Sequence, residues 1–180
     1  MELAMQSGMA SSLSQLFEKI AETLDISDSL YEDAVVRYED VAAWLSEGVS
    51  VAPHNPQVYV QGSFRLGTVV RPISDEDSYD IDLVCQLNID KSRITQAELK
   101  ALVGDRLKER TDLESILEES RRCWYLDYEQ NFHMDVLPCL DNVERKPNGI
   151  LLTDKQLVRW QKSKPHFVRG VVPGTYACRF

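Results

Sequence analysis

The stretch Tyr79-Asp80-Ile81-Asp82-Leu83-Val84-Cys85-Gln86-Leu87 decides how this chain folds. Ile81, Leu83, Cys85 and Leu87 alternate with Asp80, Asp82, Val84 and Gln86, a period of two that reads as a strand with one carboxylate-bearing face. Asp80 and Asp82 project from the same face, while Ile81 and Leu83 anchor the other. Two carboxylates so close repel unless something positive sits between them. A proton can do this, as in a dyad, but a divalent cation does it better at neutral pH, with a third carboxylate completing the site. Asp135 is the candidate, because Phe132-His133-Met134-Asp135-Val136-Leu137 is a strand otherwise too apolar to carry an idle charge. Taken alone, Asp80 and Asp82 are also what the solvated outer face of an edge strand would show.

Upstream, Gln57 to Gln61 reads as a short strand leading into Gly62-Ser63. A glycine followed by serine at a strand-to-helix turn lets the backbone approach a phosphate, with the hydroxyl and the following N–H groups donating to its oxygens. Arg65 follows one helical step on, within reach of the same phosphates as a planar fork. The alternative is an ordinary tight turn with Ser63 as its N-cap.

The helices are expected to cover the sheet. Leu13, Leu16, Phe17, Ile20 and Leu24 recur at helical spacing after a capping box from Ser12 to Gln15, and residues 1–11 read as a disordered start. Ser27 to Glu47 is a longer helix with Leu30, Ala34, Val35, Tyr38, Val41, Ala42 and Leu45 on its apolar face, a capping box at Ser29 and Glu32, and Gly48 as its stop. Thr95 to Arg110 is a third, capped by Thr95 and Glu98. Arg122 to Tyr128 and Phe132 to Leu137 read as a hairpin across Glu129 to Asn131, and Thr153 to Lys162 as a last helix. Asp75, Glu76 and Asp77 read as a solvated turn. The fold class is α/β (α+β), a small mixed sheet flanked by helices.

Composition narrows the function. With 20 Lys and Arg against 29 Asp and Glu, the 180-residue chain carries a net charge of −9, the wrong sign for a surface that holds nucleic acid by counterion release. No stable nucleic-acid binding is expected. No run approaches the roughly 20 apolar residues of a membrane span, and no secretory leader is legible, so a cytoplasmic location is expected. Cys85, Cys123, Cys139 and Cys178 form no CxxC pair and read as reduced thiols. His133 shares a face with Asp135 and reads as a packed, hydrogen-bonded histidine, with support of the cation site as the alternative. Trp124, Tyr125 and Tyr128 read as sheet packing, with base stacking as the alternative, and Arg121 and Arg122 as solvating a strand's start.

Together Gln61-Gly62-Ser63-Phe64-Arg65-Leu66-Gly67-Thr68, Tyr79-Asp80-Ile81-Asp82-Leu83-Val84 and Phe132-His133-Met134-Asp135-Val136-Leu137-Pro138 resemble the three signatures of the polymerase-beta-like nucleotidyltransferases. More narrowly they resemble the bacterial CD-NTases, relatives of cyclic GMP-AMP synthase, over residues 12–163. The resemblance implies two-metal nucleotidyl transfer, with Mg²⁺ or Mn²⁺ held by Asp80, Asp82 and Asp135 and the terminal phosphates of a nucleoside triphosphate held by Gly62 and Ser63. It implies a cyclic di- or trinucleotide product that signals in anti-phage defence. It also implies a C-terminal helical lobe that this chain lacks, so that 164–180 reads as an aberrant, frameshifted tail. The uncovered surface would then favour self-association or a regulatory protein partner. The rival readings are a catalytically incomplete remnant that binds nucleotide or a partner, and a nucleotidyltransferase with another small-molecule acceptor.

Overall fold

The computed structural model describes residues 2–72, 74, 78–128, 132–145, 149–157 and 159–163, with side chains described from Ser12 onward. The tail at 164–180, Cys178, the acidic turn at 75–77 and the connection at 129–131 lie outside the described residues. Four helices, α1 (Glu2–Leu24), α2 (Asp28–Glu47), α3 (Gly62–Leu66) and α4 (Gln96–Lys108), accompany seven strands. The strands are β1 (Gln57–Gln61), β2 (Tyr79–Leu87), β3 (Leu117–Glu119), β4 (Trp124–Asp127), β5 (Phe132–Asp141), β6 (Ile150–Leu152) and β7 (Gln161–Ser163). They form one sheet in the order β1-β2-β5-β4-β3, with β6 pairing the far end of β5 and β7 pairing β6. Among the described residues, β2 and β5 run parallel and the other pairings are antiparallel.

The alternation of β2 is resolved as the sequence dictates. Ile81, Leu83, Cys85 and Leu87 meet Phe132, Met134, Val136 and Leu140 of β5 in a core closed by Ala34, Tyr38, Val41 and Leu45 of α2 and Leu99, Val103 and Leu107 of α4. Cys85 thus sits in the core, on the face away from the carboxylates. Beneath the opposite face a smaller cluster joins Val84, Leu137, Cys139, Cys123 and Ile150. Glycine lets α4 come close: Gly104 lies against Trp124, whose indole Nε1 donates to the Lys100 carbonyl at 2.9 Å. A reciprocal contact ties α2 to α4, with Trp44 Nε1 donating to the Arg106 carbonyl at 2.9 Å and the Arg106 guanidinium stacked 3.4 Å from the Trp44 ring centroid.

Several expectations are corrected. The first helix begins at Glu2 rather than after a disordered start at 1–11, since Glu2 to Ala10 contains only one strong helix breaker, Gly8. Its apolar residues do not cover the sheet: Leu13, Leu16, Phe17, Ile20 and Leu24 are all exposed, Phe17 at 66%. The cap of α2 is Ser27, whose hydroxyl accepts from the Leu30 N–H, and not Ser29. The capping box of Thr95 and Glu98 forms as read. Among the described residues the expected helix over 153–162 is absent, and the segment instead leaves β6 through a turn and enters β7, because its start is held by groups outside it. Asp154 is buried between Arg121 and Arg122, whose Nε atoms donate to its two oxygens at 2.8 and 2.9 Å, while its own N–H donates to Gln96 Oε1. The two arginines therefore clamp this segment rather than merely solvate a strand.

Candidate active site

Register brings the carboxylates together. β2 and β5 are parallel with Asp82 directly opposite Asp135 and Asp80 opposite His133, so strands far apart in sequence place three aspartates and a histidine on one sheet face. Burial explains the electrostatics: Asp82 is half-buried, and desolvation first, then the Asp135 and Asp80 charges, hold its carboxyl above the usual carboxylate range. This crowding of like charge is what a cation relieves.

The turn after β1 is built around Asp82. Gly62 has φ 68°, a left-handed backbone that favours glycine, and a β-carbon there would crowd Asp82 Oδ2, so any larger residue would have to displace that carboxylate. Phe64 anchors this turn from the other side, buried and stacked on Tyr31 of α2 at 4.9 Å between centroids with Tyr38 edge-on at 5.8 Å. Gly67, φ 65°, ends α3, and the Thr68 N–H closes the loop onto the Ser63 carbonyl at 2.9 Å. Ser63 is exposed, next in sequence to Gly62, which lies against Asp82. Arg65 is half-buried, with Nη1 3.5 Å from the Val60 carbonyl, so its contact here is to the β1 backbone. Tyr79 fixes the start of β2 by donating from its hydroxyl to the Leu30 carbonyl at 3.0 Å.

Three residues around the carboxylates exceed what was read from sequence. His133 is packed and hydrogen-bonded as expected, with Nδ1 2.9 Å from Ser78 Oγ, yet its Nε2 also lies 2.6 Å from Asp80 Oδ1. Tyr125, opposite Asp135 in the β4–β5 register, lays its ring 4.9 Å from that imidazole, so it belongs to the site face, whereas Trp124 and Tyr128 pack elsewhere. Cys123 is buried, and that burial together with the nearby Asp135 carboxylate pushes its thiol pKa up to about 11, so it stays protonated. Two-residue alternation from Tyr125 was the available signal for Cys123; nothing in the sequence paired either residue with Asp135 before the strand register was known.

The donor chemistry fits a hard divalent cation: three carboxylates on one face, two of them opposite one another, with a glycine turn leaving Asp82 room. Among the described residues no three ligating side chains already enclose a cation, and Asp80 is engaged by His133. A groove lined by Arg93, Gln96, Lys100, Trp124, Lys155 and Trp160 lies on the α4 side of the sheet, away from the carboxylates.

Residues 56–138, which span the glycine turn and all three aspartates, match the family described as "Cyclic GMP-AMP synthase DncV-like, nucleotidyltransferase domain". This segment is similar to the nucleotidyltransferase domain of that family. Two kinds of relative share the similarity. The c-di-GMP synthase of Roseivirga ehrenbergii is 27% identical over 159 residues, covering 85% of this chain and 41% of the relative. The Bradyrhizobium diazoefficiens CD-NTase CdnG, solved in complex with GTP, shares the fold with a TM-score of 0.67 at 20% identity, over 81% of this chain and 42% of that one. Escherichia coli MS115-1 CdnC, solved in a CdnC:HORMA-deltaN complex, gives 0.61 at 14% identity, over 84% and 46%. The chain therefore spans about two fifths of the length of the curated relative it matches.

Proposed function

We propose that this domain catalyses metal-dependent nucleotidyl transfer, joining nucleoside triphosphates into a cyclic di- or trinucleotide second messenger that serves anti-phage defence. The observation that carries this reading is the seating of Gly62 against Asp82, opposite Asp135. Asp80, Asp82 and Asp135 would hold Mg²⁺ or Mn²⁺, which when bound supplies charge neutralisation for the triphosphate and acidity for the attacking ribose hydroxyl. Gly62 and Ser63 receive the terminal phosphates, the glycine by letting the backbone approach and Ser63 by donating its hydroxyl. Arg65 is close enough in sequence to add a charge to the same phosphates. The sheet fixes Asp82 and Asp135 before substrate arrives, so little reorganisation is needed at the reacting centre. A cytoplasmic location is in keeping with nucleoside triphosphates as substrates, and a regulatory protein partner is in keeping with the CdnC:HORMA-deltaN complex.

A second reading is favoured by the share of the relative that is covered: the chain binds metal and nucleotide but needs further polypeptide for turnover. One experiment separates the two. The purified chain is incubated with all four ribonucleoside triphosphates and Mg²⁺ or Mn²⁺, and products are resolved by mass spectrometry. Cyclic product that vanishes on Asp82→Ala establishes the first reading. Asp82-dependent nucleotide binding without product establishes the second, and product that survives Asp82→Ala contradicts both.

A further inference from the structure

We infer that His133, braced by Ser78, is a positioning residue that sets the Asp80 carboxylate for cation binding, an inference that rests on the nucleotidyltransferase reading above. Asp80 needs such a brace more than its neighbours. It stands near the first residue of β2 with its side chain 64% exposed, whereas Asp82 and Asp135 sit deeper in the sheet. An exposed aspartate samples several rotamers, and each must be given up when a cation binds.

His133 is placed to remove that freedom. Ser78 and Asp80 are two residues apart at the start of β2, and the imidazole crosses from β5 to meet both, at 2.9 Å from Ser78 Oγ and 2.6 Å from Asp80 Oδ1. The ring is itself fixed, directly opposite Asp80 in the parallel register, tilted against the Tyr125 ring, and only 22% exposed. Its chemistry suits the task. An ionised Asp80 only accepts, so Nε2 carries the hydrogen; in the neutral ring Nδ1 then accepts the Ser78 hydroxyl hydrogen, which fixes the tautomer. Engaging Oδ1 leaves Oδ2 for the cation.

Mn²⁺ binding to the full chain, followed by electron paramagnetic resonance, tests this without requiring turnover. His133→Phe keeps a ring against Tyr125 and removes the donor, and is expected to weaken Mn²⁺ binding about 10-fold, the low end for loss of a ligand's hydrogen-bond partner. His133→Gln keeps a side-chain N–H donor and is expected to stay within about threefold of the natural chain, and Ser78→Ala to fall between the two. Unchanged or tighter binding in His133→Phe, with binding abolished in Asp82→Asn, would overturn the positioning role alone. Equal weakening in the Gln and Phe variants would overturn it too, since packing would then be the cause. If His133→Phe does not fold, Ser78→Ala decides, and natural affinity there counts against the proposal. The absence of any Asp82-dependent Mn²⁺ site in the natural chain would overturn the underlying reading and this inference with it.

Discussion

The paired strands β2 and β5 contain two regions that differ only in what lies over one face. Along Tyr79 to Leu83 and Phe132 to Val136, one face is core and the other holds Asp80, Asp82, His133 and Asp135, half-buried or exposed. From Val84 to Leu87 and Leu137 to Leu140 the same strands are covered on both sides almost throughout, with Ile150 of β6, which pairs beside the end of β5, closing the smaller cluster with Val84, Leu137 and Cys139. Hydrogen bonding is continuous through both regions. The site thus lies where the second covering layer stops, on a backbone made rigid by the fully covered half.

Substitutions can break that contrast, the largest effect coming from the open half. Asp135→Asn is expected to lower nucleotidyl transfer at least about 10³-fold, about 4 kcal/mol, in a pyrophosphate-release assay, while the thermal melting profile shows the fold retained. Leu83→Ala, between the two regions and fully buried, should cost about 3 kcal/mol in denaturant unfolding. Gly62→Ala sharpens the comparison, because it adds about 1–2 kcal/mol of left-handed strain and also displaces Asp82, so transfer should fall by more than the strain alone explains. Ile150→Val in the covered half should cost about 1 kcal/mol of stability and leave transfer unchanged.

The last prediction concerns the clamp that ends the covered region. Hydrogen bonds from Arg121 and then Arg122 hold the Asp154 carboxyl well below the usual range. A depressed folded value means that the unfolded chain takes up the proton first. The contribution is therefore fully present above the unfolded value, about 3.9, and is lost as pH falls below it toward the folded value. The stability gap between the natural chain and Asp154→Asn should stay constant from pH 7 to about 5 and narrow toward pH 3, as read by denaturant unfolding at each pH.

How much of this was legible depends on the range of the interaction concerned. The alternation of Tyr79 to Leu87 gave the strand, its core face and the shared face of Asp80 and Asp82, since those follow from a local period of two. The Thr95–Glu98 box was likewise local. The brace on Asp80 was not, because it depends on the parallel register that sets His133 opposite it, and no short-range pattern encodes register between strands some 50 residues apart. The same holds for residues 153–157, where spacing favoured a helix but Arg121, Arg122 and Gln96 supplied hydrogen bonds that a helix would have had to replace. The apolar stripe of α1 was read correctly as a stripe and wrongly as sheet cover, since periodicity reports a face and not what lies against it.

The most direct test of the site is a crystal of the chain grown with Mn²⁺ and a non-hydrolysable nucleoside triphosphate, examined by anomalous diffraction. An anomalous peak between Asp82 and Asp135, with the triphosphate on Gly62 and Ser63, is the predicted result. Manganese or nucleotide seated instead in the groove of Lys100, Trp124 and Lys155, with the aspartates bare, would contradict it.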